Sequence, residues 1–138
     1  MKHTISVLVE NHAGVLARVA GLFARRGFNI DSLAVGVTDD ENVSRITIVA
    51  DGSAYTLEQI EKQLNKLIDV IKVKTLHNES AVTRELVLIK VSCTQKQRAE
   101  LISIAEIAKG KISDISPNSM TIELSDTKQN LDTYEELL

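Results

Sequence analysis

The sequence predicts an α+β protein of two small modules, and three observations predict it. Near the start, apolar residues recur with a period of two, as in Ile5, Val7 and Val9, which suits a half-buried strand. Directly after a glycine-containing loop, Val15, Leu16, Val19, Leu22 and Phe23 fall at helical spacing. The order of strand and helix signals then begins again after the short polar stretch His77-Asn78-Glu79-Ser80.

In chain order, the first strand runs into the loop Glu10-Asn11-His12-Ala13-Gly14. The helix that follows carries Arg18, Arg25 and Arg26 on its outer side and stops at Gly27, a residue suited to a left-handed helix end. Residues 29 to 37, rich in β-branched and small side chains, read as a second strand. Asp39-Asp40-Glu41-Asn42 is a polar turn. Val43 to Ala50 is a third strand, with Ser44, Ile46, Ile48 and Ala50 on one face. Asp51-Gly52-Ser53 interrupts it. Thr56 to Gln59 has the form of a capping box, and Leu57, Ile60, Leu64, Leu67, Ile68 and Ile71 form an apolar helical stripe behind it. Val70 to Leu76 is a fourth strand. Residues 1–77 thus read βαββαβ. Right-handed crossovers fold that order into a four-stranded antiparallel sheet with both helices on one face, the ferredoxin-like arrangement.

Residues 78–138 repeat the order in part. Glu85 to Ser92 is a strand. Thr94 with Gln97 opens a helix through a second capping box, and the helix runs to about Lys109 before Gly110. In Lys111 to Ser116 the strand pattern is weak, because Ile112 and Ile115 break the two-residue period. Met120, Ile122 and Leu124 alternate cleanly, and Leu131, Tyr134, Leu137 and Leu138 suggest a last helix. The second, smaller α+β module is therefore βαββα, with a final strand missing and an apparent truncation at that point.

Composition excludes several classes. The 138 residues carry a formal charge of −3, with 43% hydrophobic and 25% charged residues, the balance of a soluble globular chain. Mild acidity argues against a nucleic-acid footprint, which needs a clustered basic face. No apolar run of about 18 residues offers a membrane span. The single cysteine, Cys93, allows no internal disulfide and fits a reducing, cytoplasmic setting, and it reads as a small buried residue.

The search for chemistry is nearly empty. His3, His12 and His77 lack a second ligand at metal-binding spacing, and neither common phosphate-loop pattern occurs. The first strand-to-helix loop is the informative segment. The opening N–H groups of a helix lack intrahelical acceptors and carry partial positive charge, so they can hold a carboxylate without Lys or Arg. Gly14 lets a ligand approach the backbone. Asn11 and Asn29 are amides that both donate and accept. An alternative stands beside this reading: Asn11 and Gly14 only cap the helix and turn the chain into it.

Glu10-Asn11-His12-Ala13-Gly14-Val15-Leu16, within the stretch from Val7 to Val19, resembles the opening of an ACT domain. Together with the stretch Gly21-Leu22-Phe23-Ala24-Arg25-Arg26-Gly27-Phe28-Asn29-Ile30-Asp31-Ser32-Leu33 and with Ser44-Arg45-Ile46-Thr47-Ile48, it resembles the regulatory small subunits of acetolactate synthase (acetohydroxyacid synthase). The blocks from Gln59 to Val70 and Arg84 to Val91 agree. The resemblance implies a non-catalytic feedback sensor in branched-chain amino acid biosynthesis. Valine, or another branched-chain amino acid, would bind at an ACT homodimer interface. Asn11, His12, Ala13, Gly14, Val15 and Leu16 would come from one protomer, and Asn29 and Ile30 from the other. Val15 would offer its N–H and its side chain. The partner would be a catalytic large subunit carrying thiamine diphosphate, Mg²⁺ and FAD, with no cofactor in this chain. Two features depart from the family pattern. His12-Ala13 replaces an acid followed by Pro or Ser, with His12 read as solvent-exposed, and the family continues for a further strand and tail beyond Leu138.

Three rivals are weaker. Some RNA-binding modules share βαββαβ but stack bases on strand aromatics, and the strands Ile5 to Val9 and Val43 to Ala50 contain none. A self-sufficient enzyme lacks its catalytic groups here. A free-standing ACT-type amino-acid sensor, without an enzyme partner, is the alternative that sequence does not separate.

Overall fold

A computed structural model describes residues 1–77 and 79–138; the linker residue Asn78 lies outside the described residues. The chain forms two compact units, Met1–Ala81 and Val82–Leu138.

The first unit holds β1 (Lys2–Glu10), α1 (Val15–Arg26), β2 (Ile30–Val37), β3 (Val43–Asp51), α2 (Ala54–Asn65) and β4 (Val70–Leu76). Its sheet order is β2-β3-β1-β4, with every pair antiparallel. Register follows the alternation: Ile5 sits opposite Ile48 and Thr75, and Val7 opposite Ile46 and Val73. A one-residue slip would turn these apolar sets to solvent, so burial of one face holds the pairing. Ile5, Val7, Val9, Ile46, Ile48 and Ala50 meet Val15, Val19, Leu22 and Phe23 of α1 and Ile60 and Leu64 of α2 in one core. Each large side chain buried there contributes about 1.5–3 kcal/mol. α1 ends as expected at Gly27, whose φ of 70° lets Phe28 N–H reach the Phe23 carbonyl at 2.9 Å.

Two expectations need correction. α2 starts at Ala54, not after Thr56: Ser53 is extended at φ −76°, and its hydroxyl accepts from Thr56 N–H at 3.2 Å. The serine two residues beyond Asp51 captures the orphan amide first, so the Thr56–Gln59 box does not form. The stripe also ends sooner. α2 stops at Asn65, and Ile68 is 93% exposed.

The second unit holds β5 (Glu85–Ser92), a 3₁₀ turn (Gln95–Gln97), α3 (Arg98–Ile107), β6 (Lys111–Ser116), β7 (Ser119–Asp126) and α4 (Lys128–Leu137). The predicted βαββα order is present. Its three-stranded sheet runs β5-β7-β6, antiparallel throughout. The broken period in β6 has a cause: the register shifts between Ile112 and Asp114, which sets Ile112 opposite Ile122 and Ile115 opposite Met120. Gly110 is needed for close approach, since a Cβ there would stand 2.8 Å from the Glu123 carbonyl. Cys93 is buried, packed near Leu101 and Met120. No helix among the described residues is long and apolar enough to cross a membrane.

Candidate functional site

Residues Glu10 to Gly14, between β1 and α1, are all exposed, so no apolar burial holds this loop in place. Polar contacts do so instead. Asn11 N–H donates to the Asn42 carbonyl at 2.8 Å, and Asn11 Nδ2 donates to the Glu41 carbonyl at 2.8 Å. Both tie the loop to the β2–β3 turn, and the second uses the donor half of the Asn11 side-chain amide. Gly14 is the N-cap of α1 at φ +90°, with no side-chain cap. A Cβ there would meet no atom within 4 Å, so the glycine answers to backbone conformation, not to crowding.

The helix start is consequently open. Arg18 N–H makes the first helical bond four residues back, to the Gly14 carbonyl at 3.1 Å. The amides of Leu16 and Ala17 precede it and have no backbone acceptor among the described residues. Val15, expected to offer its side chain, is buried in the core and leaves only its N–H, which sits 3.5 Å from the His12 carbonyl. Leu16, expected in the core stripe, is 43% exposed. It sits where a side chain could touch a ligand held at the helix start.

His12 is not simply solvated. Its side chain is 48% exposed, yet Nε2 lies 3.0 Å from Asp69 Oδ1 and 3.4 Å from Glu10 Oε2. Its pKa is raised above the ordinary histidine value, first by the Ala13 carbonyl beside Nδ1, then by the charge and hydrogen bond of Asp69 and by Glu10; partial desolvation opposes them. Asp69 itself, in the α2–β4 turn, is only 8% exposed at its side chain, and its other oxygen pairs with Arg18 of α1. Sequence reading passed over Asp69. The available signal was a lone acid inside the apolar run Leu67-Ile68-Asp69-Val70-Ile71. Glu10, His12 and Asp69 place their ligand atoms within 4.8 Å of one another, a spacing that could hold a cation. Arg18 already supplies the positive partner, and an ion-paired cluster is the better description.

Asn29 and Ile30 stand elsewhere. Asn29 Nδ2 donates to Asp31 Oδ1 at 3.0 Å, and Ile30 pairs with Ala50 near the end of β3. Asn11 is bonded to Asn42, just before the start of β3. The two amides therefore lie at opposite ends of one strand, about 23 Å apart along it. One copy of the chain does not bring them together. β2 is an edge strand whose Leu33, Val35 and Val37 pair with Ile48, Ile46 and Ser44 on the helix side yet remain exposed. On the opposite face a shallow hollow of about 710 Å³ is lined by Leu8, Ala34, Gly36, Thr38, Arg45 and Thr47 among others, and it does not include the β1–α1 loop.

Comparison with known proteins places this geometry in context. Residues 5–72 match the family model of the "AHAS small subunit-like ACT domain", and residues 84–138 match that of the "small subunit of acetolactate synthase". The acetolactate synthase small subunit of Haemophilus influenzae is 49% identical over 134 residues, 97% of this chain and 82% of that protein. That of Mycolicibacterium smegmatis is 48% identical over 136 residues, 99% of this chain and 80% of that protein. The crystal structure of the acetolactate synthase small subunit from Thermotoga maritima superposes with a TM-score of 0.94 at 41% identity, covering all of this chain and 86% of that one. The ACT domain of a GTP pyrophosphokinase from Chlorobium tepidum, 18% identical with a TM-score of 0.50, shares the fold over 56% of this chain and 88% of that one.

Proposed function

The chain belongs to the family of acetolactate synthase small subunits, and from that premise we propose that it is a non-catalytic regulatory subunit sensing a branched-chain amino acid, valine first among them. The effector sits between two copies of the ACT unit. Its carboxylate meets the free amides at the start of α1, beside Gly14, and its ammonium group meets the acceptor oxygen of an asparagine amide. Asn11 to Leu16 serve from one copy, Asn29 and Ile30 from the other.

One observation carries this reading: Asn11 and Asn29 lie at opposite ends of β3 in a single chain. Two copies joined side by side along their β2 edges, in the antiparallel sense a two-fold axis requires, bring Asn29 of one to the end of the sheet that holds Asn11 of the partner subunit. The open β2 edge and the exposed Leu33, Val35 and Val37 support such a pairing, as do the exposed small residues Ala17 and Ala24 on α1. The catalytic large subunit, with thiamine diphosphate, Mg²⁺ and FAD, performs the reaction in the cytoplasm. This subunit raises its activity and confers inhibition by the effector, helped by the second unit.

Calorimetric titration with valine, leucine and isoleucine, alongside light scattering, tests the proposal. Saturable binding by a dimer is expected. A monomer at micromolar concentration, or a dimer indifferent to all three amino acids, refutes it. A pull-down separates the free-standing sensor from the subunit: capture of a large thiamine-dependent partner supports the subunit.

A further inference from the structure

The β1–α1 loop has no buried apolar residue, so something polar must set where the open start of α1 points. Asp69 is placed to do this. It lies in the α2–β4 turn, away from the loop in sequence, and is buried. Its backbone carbonyl accepts from Glu10 N–H at 2.9 Å, one carboxylate oxygen faces His12 Nε2 at 3.0 Å, and the other pairs with Arg18. These contacts grip the loop at three points: its entry at the end of β1, its middle, and the first turn of α1.

We infer that Asp69 is a positioning residue for the effector site, acting through His12 and Arg18 to hold the β1–α1 loop in its ligand-receiving conformation. The inference rests on the proposed effector site and adds a residue that does not itself reach the ligand. A buried carboxylate in an apolar run is a poor choice for stability alone, because desolvation offsets most of what the ion pairs return. It is a good choice for orientation. A carboxylate accepts from two directions at once, and a charged acceptor fixes its donors more tightly than a neutral one. The charged groups that face His12 are Glu10 from β1 and Asp69 from the turn, with Arg18 of α1 across Asp69. Protonated His12 therefore strengthens the grip and neutral His12 relaxes it.

The test uses the full chain with valine as probe. Asp69→Asn keeps the shape and removes the charge; Arg18→Met and His12→Gln weaken the same grip from exposed positions and serve if Asp69→Asn does not fold. Amide exchange of residues 11–17 should quicken in the variants while β1 and β3 stay protected. Valine affinity should fall about tenfold or more in Asp69→Asn, the scale of one lost charged hydrogen bond. The decline of affinity as pH rises through the histidine range should flatten in His12→Gln and in Asp69→Asn, which a merely structural role would not produce. Unchanged loop exchange together with wild-type affinity and pH profile in the folded variants overturns the inference. If the wild type binds no branched-chain amino acid, the effector site itself fails, and loop exchange alone decides the role of Asp69.

Discussion

The two units solve the same junction in opposite ways. Each runs from its first strand through a short loop into its first helix. In the second unit the junction satisfies itself: Gln97 Oε1 accepts from Thr94 N–H at 2.9 Å, and a 3₁₀ turn leads into α3. α2 and α4 are likewise capped, by the hydroxyls of Ser53 and Thr127. α1 instead starts at a glycine N-cap, Gly14, which sits at φ +90° and offers no side-chain cap. A glycine N-cap forfeits about 0.3 kcal/mol relative to a Ser or Asp. That loss is intelligible where a ligand completes the cap. The contrast teaches that the same strand-to-helix junction can be closed by its own side chains or left with open amides.

The largest expected effect breaks the open junction. Gly14→Asp should abolish valine binding, lowering affinity more than about 100-fold, because a carboxylate would repel the ligand's own from the amides it needs. The positive φ adds strain of about 1–2 kcal/mol for a residue with a Cβ. Gly14→Asn is the matching control, with similar strain and no charge, and should retain measurable binding. Calorimetry beside thermal melting reads both. Loss of folding without loss of affinity in the folded fraction would return Gly14 to a mere turn residue. Asn29→His should weaken binding from the other copy.

The next effect sharpens the contrast between the sheets. β1 is paired on both sides in the first unit, whereas β5 is paired only with β7 in the second. The first core is one cluster; the second is divided into two small ones. Hydrogen exchange should therefore be faster across residues 82–138 than across 1–76, most of all at β5, unless another chain covers that edge. Uniform protection in a dimer joined only through the first units would remove the distinction.

Smaller still is the cost of opening the closed junction. Gln97→Ala should destabilise the second unit by about 1 kcal/mol while leaving valine affinity unchanged. A change in affinity would mean that the two junctions are not independent. The smallest effect is electrostatic. The folded-state pKa of His12 is raised, so the stability it contributes is fully present below the unfolded histidine value and is lost as pH rises through the folded value. Melting of the first unit between about pH 6 and pH 8 should show this slight decline, and His12→Gln should remove it.

Sequence alone determined the elements, because each is written in local chemistry. Period-two alternation marks β1, β3 and β7, helical spacing marks α1, and Gly27 marks its end. It also pointed to Gly14 and Asn11, a glycine and an amide before an apolar helix, with capping and turning of the chain as the other reading. Only the tertiary structure decided which residue caps α2, that Val15 is spent on the core, and that Leu16 and Ile68 are exposed. It alone showed that Asn11 and Asn29 are a strand's length apart. Asp69 is the clearest case. Its partners His12 and Arg18 are more than fifty residues away, and no local pattern records a contact made by two chain segments that meet only when β1 and β4 pair.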